Sequence, residues 1–370
     1  TQLSIIKLTM SIPIVDSHVH LFPASHLQTL AWYRPGNPIG AQHSVEEYRK
    51  ASSSVSTDAS ANGPKYLRGF IFVEVDRISS VAEHDPPGWT HALDEVSFLT
   101  RIARGEPIPG EGHQPAHRSL CLGIVAWAPV PGGPEVLRAY MDKVKERTKT
   151  EDVWRRVCGV RYLTQNRPAG TMLAPAFVDG LRWLGTKGLA FELGVNARQG
   201  GLGQLREAVE MMQRAYSGVA KDSKEAVTII INHFSKPNLR LPPESVPDHP
   251  DYLEWKDLTE QMAHAHPRTY MKLSGALTEL PPLDAESDID ISALVERLRP
   301  WTDAVFDAFG AERVMFGSDW PVCNTGGSGD IAWNRWRHIV EGVLERRGLS
   351  EEQKKGVWGG VAVEAYGIQI

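Results

Sequence analysis

The sequence predicts an α/β fold: a single (β/α)8 barrel of the TIM type over residues 1–370, with long loops on its C-terminal face and extra C-terminal helices. Short β-rich apolar runs alternate with longer amphipathic stretches along the whole chain, which is typical of βαβ units around a parallel sheet. There are eight such runs, and eight parallel strands favour a closed barrel. No Gly-x-Gly-x-x-Gly follows the first run, so a dinucleotide-binding fold is not favoured.

The strands are predicted from apolar runs that polar or turn-forming residues interrupt. They cover Ile12–Val15, Gly69–Val75, Cys121–Trp127, Val157–Tyr162, Leu189–Val195, Val227–Ile231, Thr269–Leu273 and Arg313–Phe316. The helices are predicted from apolar residues at helical spacing. They cover Thr90–Ala103, Glu135–Lys145, Phe177–Leu184, Leu202–Tyr216, Tyr252–Ala263 and Ile291–Phe309, and two more are expected within Ile331–Tyr366.

Three long connections follow predicted strands. They are Leu21–Ser44, Asp76–Thr90 and Ser235–Asp251, and each contains at least two prolines. In a parallel barrel such loops lie on the C-terminal face, where substrate sites form. We therefore expect these loops to surround any active site.

Composition excludes several classes of protein. The 40 Lys and Arg against 45 Asp and Glu give a net charge of −5, which argues against a nucleic-acid partner. No uncharged apolar run approaches the roughly 18 residues of a membrane span. Three scattered cysteines form no disulfide framework, and the first ten residues lack a signal-peptide cleavage site. A cytoplasmic location is expected; nothing predicts the oligomeric state.

The sharpest motif lies at the end of the first predicted strand, where Asp16, His18 and His20 alternate with other residues. Strand side chains alternate between two faces, so these three are expected on one face. Two imidazoles placed in this way can share one cation or one polarised oxygen. A hydrogen-bonded histidine pair with a structural role fits the motif equally well.

Polar side chains also lie at the ends of other predicted strands. Glu74 ends the second strand, Arg161 the fourth, His233 and Asp319 follow the sixth and eighth, and Lys272 lies in the seventh. In a parallel barrel such residues converge on one mouth. Glu74 could instead pair with a neighbouring arginine and Lys272 could point to solvent, so these two are the weaker candidates.

Five motifs occur together in the order and spacing of the amidohydrolase superfamily. The chain resembles its lactonase-type (amidohydrolase 2) members, related to 2-pyrone-4,6-dicarboxylate lactonase and to L-fucono- and L-rhamnono-lactonases. The resemblance implies a (β/α)8 barrel that hydrolyses a small-molecule lactone. The motifs are Asp16-Ser17-His18-Val19-His20, Gly159-Val160-Arg161, Asn232-His233-Phe234-Ser235-Lys236-Pro237, Met271-Lys272-Leu273-Ser274-Gly275 and Met315-Phe316-Gly317-Ser318-Asp319-Trp320-Pro321.

The resemblance also implies roles for single residues. His18, His20 and His233 would surround the lactone carbonyl or a metal, Asp319 would take the proton of water, and Arg161 would bind a substrate oxygen. One divalent metal, most readily zinc, would be held by His18, His20 and Asp319, while metal-free catalysis is also open. A binuclear centre is not expected, because strand four ends in an arginine. Further substrate contacts are expected from Tyr162, Glu74, Trp320 and Lys272.

Three departures from the usual family pattern concern the substrate more than the reaction. Tyr162 stands where many relatives have histidine, and Asn232 stands where aspartate is common. Phe234 and Ser235 replace a small residue and a glycine.

The residue chemistry agrees with lactone hydrolysis. A lactone carbonyl needs a stabiliser for the developing oxyanion and a base for the attacking water, which the histidines and Asp319 could supply. No Gly-x-Ser-x-Gly elbow is present, so a serine nucleophile is not favoured. Two alternatives stay open: a metal-dependent decarboxylase of the same superfamily, and a non-catalytic barrel that binds sugar acids. Nothing in the sequence selects among sugar lactones, pyrone acids and other cyclic esters.

Overall fold

A computed structural model describes residues 11–60, 64–284 and 289–370. The expectation about a signal peptide falls on residues 1–10 and lies outside the described residues. Eight strands form one sheet in the order β1 to β8, and every neighbouring pair is parallel. The strands are β1 Ile12–Val19, β2 Lys65–Val73, β3 Cys121–Trp127, β4 Val157–Arg161, β5 Ala190–Leu193, β6 Ile229–Ile231, β7 Thr269–Leu273 and β8 Val314–Phe316.

The sheet returns on itself between its first and last strands. Val19 forms a parallel bridge with Trp320, and the backbone N–H of His20 donates to the Trp320 carbonyl at 2.8 Å. The backbone N–H of Asp319 donates to the His18 carbonyl at 3.0 Å. The predicted (β/α)8 barrel is confirmed, and this closure brings the histidine motif of β1 beside Asp319.

Helices surround the barrel at the positions that the amphipathic pattern predicted. The C-terminal region differs from its prediction, since a π-turn at Gly356–Gly360 separates two short helices after a long one. The helices are α1 Val45–Ala51, α2 Thr90–Arg104, α3 Gly133–Thr148, α4 Glu151–Arg156, α5 Pro175–Thr186, α6 Gly203–Tyr216, α7 Pro250–Ala265, α8 Ala276–Glu279, α9 Ile291–Phe309, α10 Ala332–Arg346, α11 Glu351–Lys355 and α12 Val361–Tyr366. Among the described residues, none of these is long and apolar enough to cross a membrane.

The last helix, α12, closes the N-terminal end of the barrel. Its residues Ala362 and Tyr366 belong to the same buried cluster as Val15, Val73 and Met315, which come from the strands. Gly359, just before α12, lies against the start of β1, where a Cβ atom would meet the Pro13 carbonyl oxygen at 3.0 Å. The floor of the barrel is therefore built from the end of the chain.

The expectation that Asp16 shares a face with His18 and His20 is wrong. The register of β1 against β2 shifts between Asp16 and Val19, which breaks the two-residue alternation. Asp16 turns outward, where its carboxylate accepts hydrogen bonds from the Tyr48 hydroxyl at 3.0 Å and the Trp333 indole at 2.9 Å. It also accepts from the Ser318 backbone N–H at 2.8 Å, so it ties β1 to the loop after β8.

Candidate active site

A cavity of about 260 Å³ opens at the C-terminal ends of the strands. Its size suits a single small ligand. All three long loops contribute, through Trp32 from the first, Asp76 from the second and Lys236 from the third. The described lining residues are His20, Phe22, Trp32, Ile39, Val75, Asp76, Arg161, Leu163, Gln165, Asn166, Gly194, Asn232, His233, Lys236, Asp319 and Val322.

Three imidazoles converge on one carboxylate at the base of this cavity. The Oδ1 atom of Asp319 lies 3.5 Å from Nε2 of His20, 3.6 Å from Nε2 of His233 and 3.7 Å from Nε2 of His18. His20, His233 and Asp319 line the cavity, whereas His18 is fully buried behind them. The structure thus brings together the four residues singled out from three separate motifs.

The far side of each imidazole has a different partner. Nδ1 of His20 donates to the Val73 carbonyl at 2.8 Å, so its Nε2 carries a lone pair in the neutral ring. Nδ1 of His233 lies 2.8 Å from the Ser274 hydroxyl, which can donate or accept. Nδ1 of His18 lies 3.1 Å from Nζ of Lys272. Each ring is therefore held in place by a contact outside the cavity.

Lys272 does not line the cavity but lies beneath His18, with no exposed surface. Its Nζ donates to Glu192 Oε1 at 2.6 Å and to the Ser17 carbonyl at 2.7 Å. The Asn232 amide and the Tyr366 hydroxyl also hydrogen-bond to the Glu192 carboxylate. A chain of polar contacts therefore runs from the floor helix α12 to His18.

Burial shifts the pKa values of the catalytic candidates. Burial lowers the pKa of His233 to about 3, and burial together with the charge of Lys272 lowers the pKa of His18 well below its ordinary value. Burial raises the pKa of Asp319, but His233, His20 and Lys236 together lower it by more. The pKa of Asp319 therefore lies below its ordinary value of 3.8. The cluster at neutral pH thus combines neutral His18 and His233 with an ionised Asp319.

Arg161 lines the cavity and is paired with Glu74. Its Nε donates to Glu74 Oε1 and its Nη2 to the Glu74 carbonyl, each at 2.6 Å. Glu74 itself is fully buried and is not among the lining residues. Glu74 therefore orients the guanidinium from behind rather than facing the cavity.

Two further predicted substrate contacts lie outside the described cavity lining. The Tyr162 ring is buried, and its centroid lies 6.4 Å from the ring centroids of both Trp127 and Phe177. The Trp320 ring packs against His43 and Tyr48, with centroids 5.3 and 5.5 Å away. Both side chains therefore pack against other aromatic rings.

His233 begins an unusual stretch of backbone. Four consecutive non-glycine residues, His233 to Lys236, have φ between 49° and 62°, which is a left-handed turn. Such a conformation costs roughly 1–2 kcal/mol per residue, so surrounding contacts must hold it. The Trp255 indole donates to the Phe234 carbonyl at 2.8 Å, and the backbone N–H of Ala197 donates to the Ser235 carbonyl at 2.9 Å. The turn carries both His233 and Lys236 into the cavity lining.

The His233 ring packs directly against Gly275, where a side chain would collide with it. A Cβ atom on Gly275 would lie 2.6 Å from Cγ and Nδ1 of His233, and Gly275 has a φ of +69°. We expect Gly275→Ala to displace the ring and lower kcat by roughly 100-fold, since a displacement of about 1 Å can cost that much. The control is Gly201→Ala, because Gly201 has a φ of +77° with open space around it. Equal kcat values for both variants and the parent enzyme would contradict this role.

Several residues around the site had no role predicted for them from the sequence. Glu192 is a single carboxylate inside an apolar strand, a signal that a buried cation lies nearby. Asp76 lies three residues after the end of β2 and faces the cavity, but no motif marked it. Ser274 and Gly275 lay within a quoted motif, yet their contact with His233 depends on the meeting of two loops.

Comparisons with known proteins give matches over most of the chain. The profile of the family described as Amidohydrolase matches residues 125–368. An L-rhamnono-gamma-lactonase of Scheffersomyces stipitis is 30% identical over 356 residues, which cover 96% of this chain and 98% of that protein. An L-fucono-1,5-lactonase of Burkholderia multivorans is 34% identical over 144 residues, which cover 39% of this chain and 44% of that protein.

Solved structures share the fold. A crystal structure of an amidohydrolase from Burkholderia multivorans with bound zinc has a TM-score of 0.65 at 22% identity, covering 96% of this chain and 99% of that one. A 2-pyrone-4,6-dicarboxylic acid hydrolase from Pseudomonas putida has a TM-score of 0.55 at 17% identity, covering 97% and 99%. At these identities the similarity concerns the fold alone.

Proposed function

This chain belongs to the amidohydrolase family and is a hydrolase of cyclic esters; from this premise we propose that it opens sugar-acid lactones, with Asp319 activating the attacking water. The observation that carries the proposal is the position of Asp319 Oδ1, 3.5–3.7 Å from three imidazole nitrogens at the base of a cavity. The lactonase names of the relatives favour this reaction over the decarboxylase and the sugar-acid-binding alternatives.

The proposed reaction uses the residues that face the cavity. Asp319 accepts a proton from water while the water oxygen bonds to the lactone carbonyl carbon. Nε2–H of His233 donates to the carbonyl oxygen as it becomes negative, when the Ser274 hydroxyl donates to Nδ1 of the same ring. The ring C–O bond then breaks, and the ring oxygen takes the proton from Asp319. The product is an open hydroxy acid.

The same residues also fit one divalent cation, in which case Nε2 of His233 would be a ligand and would not donate to the carbonyl oxygen. The ligand atoms of His18, His233 and Asp319 lie within 4.8 Å of one another, and Oδ2 of Asp319 is buried with no hydrogen-bond partner among the described residues. Of the two β1 histidines, His20 is the better-matched ligand, because its Nδ1 donates to a carbonyl while Nδ1 of His18 faces Lys272. Zinc accepts imidazole and carboxylate ligands and would polarise the lactone carbonyl.

The proposal is tested with a panel of lactones under pH-stat titration, with elemental analysis of the purified protein. We expect proton release with sugar-acid lactones and at most one divalent metal per chain. Release of carbon dioxide from aromatic acids without lactone hydrolysis would select the decarboxylase, and two metals per chain would contradict the single-cation site. Full activity after chelation would select metal-free catalysis.

Arg161 is expected to control substrate affinity more than the chemical step. Arg161→Lys keeps the charge but cannot form both contacts with Glu74 and also reach the substrate. We expect KM to rise roughly tenfold, equivalent to about 1.4 kcal/mol, with a small change in kcat. Arg167→Lys is the control, because Arg167 is exposed and lies over the Tyr162 ring. An unchanged KM in Arg161→Lys would remove Arg161 from the site.

A further inference from the structure

Asp76 is held in a strained conformation at the edge of the cavity. Its φ is +55°, which is uncommon for a residue other than glycine. Its backbone N–H donates to Glu74 Oε2 at 2.6 Å, and its carbonyl accepts from the Ala31 N–H at 2.9 Å. These contacts, one from the end of the same strand segment and one from the first long loop, fix the backbone, so the half-buried side chain keeps its place in the cavity lining.

The carboxylate of Asp76 retains its hydrogen-bonding capacity. Within residues 11–60, 64–284 and 289–370, no group hydrogen-bonds to its side-chain oxygens. An ionised carboxylate accepts through about four lone-pair sites. The polar neighbours in the lining include the neutral amides Gln165, Asn166 and Asn232. A carboxylate among amides suits a ligand that carries several hydroxyl donors.

The charge around the cavity does not suit an anionic ligand. Arg161, the cation best placed to bind a substrate carboxylate, already pairs with Glu74. Lys236 is the other cation of the described lining, and it faces a cavity that also holds Asp76 and Asp319. The two cations of the lining therefore face the two carboxylates Asp76 and Asp319, and Glu74 neutralises Arg161 from behind, so a ligand with extra carboxylates would meet no net attraction.

We infer that Asp76 is a specificity-determining residue whose carboxylate accepts hydrogen bonds from the ring or side-chain hydroxyls of neutral, polyhydroxylated lactones. The inference rests on the proposed lactonase function and deepens it, because it separates uncharged sugar-acid lactones from lactones that carry carboxylates. Asn166 and Gln165 then complete the recognition of hydroxyl groups, while Asp319 and His233 act on the carbonyl.

The kinetic test compares two lactones of six carbons: a 1,4-lactone of an aldonic acid, and γ-hexalactone, which lacks hydroxyl groups. In Asp76→Asn we expect KM for the hydroxylated lactone to rise roughly 10- to 100-fold, which corresponds to the loss of one or two charge-assisted hydrogen bonds. Hydrolysis of γ-hexalactone is expected to stay within about twofold. Asparagine tolerates the left-handed conformation, so the backbone is preserved.

Asp85→Asn is the matched control, because Asp85 is exposed and lies in the same loop as Asp76. It is expected to leave both substrates unaffected. Equal losses on the two lactones in Asp76→Asn, or no loss on either, would overturn the inference.

A binding measurement separates this inference from the proposed function. A 1,4-anhydrohexitol carries the same hydroxyls but no ester, and its dissociation constant is measured by calorimetry. Binding that weakens at least tenfold in Asp76→Asn supports the role of Asp76 even if the enzyme hydrolyses no lactone. Equal affinity of the parent and Asp76→Asn, or no binding to the parent, would overturn it even if lactones are hydrolysed.

The pH dependence gives a third readout. Burial and the neighbouring Glu74 raise the pKa of Asp76 to about 6, against the opposing effect of Arg161 and Arg167. As the pH falls through about 6 the carboxylate gains a proton and loses acceptor capacity, so KM for the hydroxylated lactone should rise. Asp76→Asn should lack this rise, and an identical rise in the variant would assign it elsewhere. The charged groups that act on Asp76 or share its cavity are Glu74, Arg161, Arg167, Lys236 and Asp319.

Discussion

Asp319→Asn is expected to lower kcat by about 10²–10⁴-fold, the usual contribution of general-base assistance. Its Oδ1 faces three imidazoles and its Oδ2 is buried without a partner among the described residues, so Oδ2 has no hydrogen bond to lose on substitution. Asparagine keeps the shape of the side chain but cannot take a proton. KM should change little if Asp319 contacts water rather than substrate.

Steady-state kinetics on an active lactone, with thermal unfolding of the same sample, checks this prediction. A purely structural role for Asp319 predicts the opposite result, because asparagine caps the following turn as well as aspartate does. A folded Asp319→Asn enzyme within a few-fold of the parent kcat would therefore end the proposed mechanism. Asp307→Asn, on the outer helix α9, is the control and should leave kcat unchanged.

Lys272→Met is expected to lower the free energy of unfolding by about 3–5 kcal/mol, because it leaves the Glu192 carboxylate buried without its counter-charge. Both side chains have no exposed surface, and their atoms lie 2.6 Å apart. The variant also removes the donor to Nδ1 of His18, so kcat of the folded fraction should fall as well. The two losses share one cause, the removal of the cation beneath the histidines.

Urea unfolding followed by fluorescence, with kinetics on the folded protein, measures both effects. Lys354→Met is the control: it removes an ion pair with Glu351 on the surface, where such pairs contribute roughly 0–1 kcal/mol. An unfolding free energy of Lys272→Met equal to that of the parent would show that the buried pair contributes nothing to stability.

The sequence alone determined the architecture and pointed to the candidate site residues. Eight apolar runs predicted eight strands because burial on both faces of a parallel sheet demands such runs, and all eight lie in the barrel in chain order. Polar residues at the strand ends predicted a site at the mouth of the barrel. Few polar side chains follow a buried strand without a function. His233 and Asp319 were identified in this way.

Only the tertiary structure decided which faces and partners those residues have. A register shift in β1 turns Asp16 outward, although strict alternation placed it with His18. Phe234 and Ser235 adopt a left-handed turn that their own preferences oppose, because contacts from Trp255 and Ala197 hold it. Periodicity describes one strand or helix at a time, so it cannot predict a conformation that is stabilised from outside that segment.

The partners of the buried charges could likewise not be predicted from the sequence. Lys272 and Glu192 are 80 residues apart, and Tyr366 reaches the same carboxylate from a helix that closes the barrel floor. Their pairing follows from the low polarity of the barrel interior, where an unpaired charge is too costly to keep. That requirement predicts that a partner exists, but only the closure of the barrel decides which residue it is.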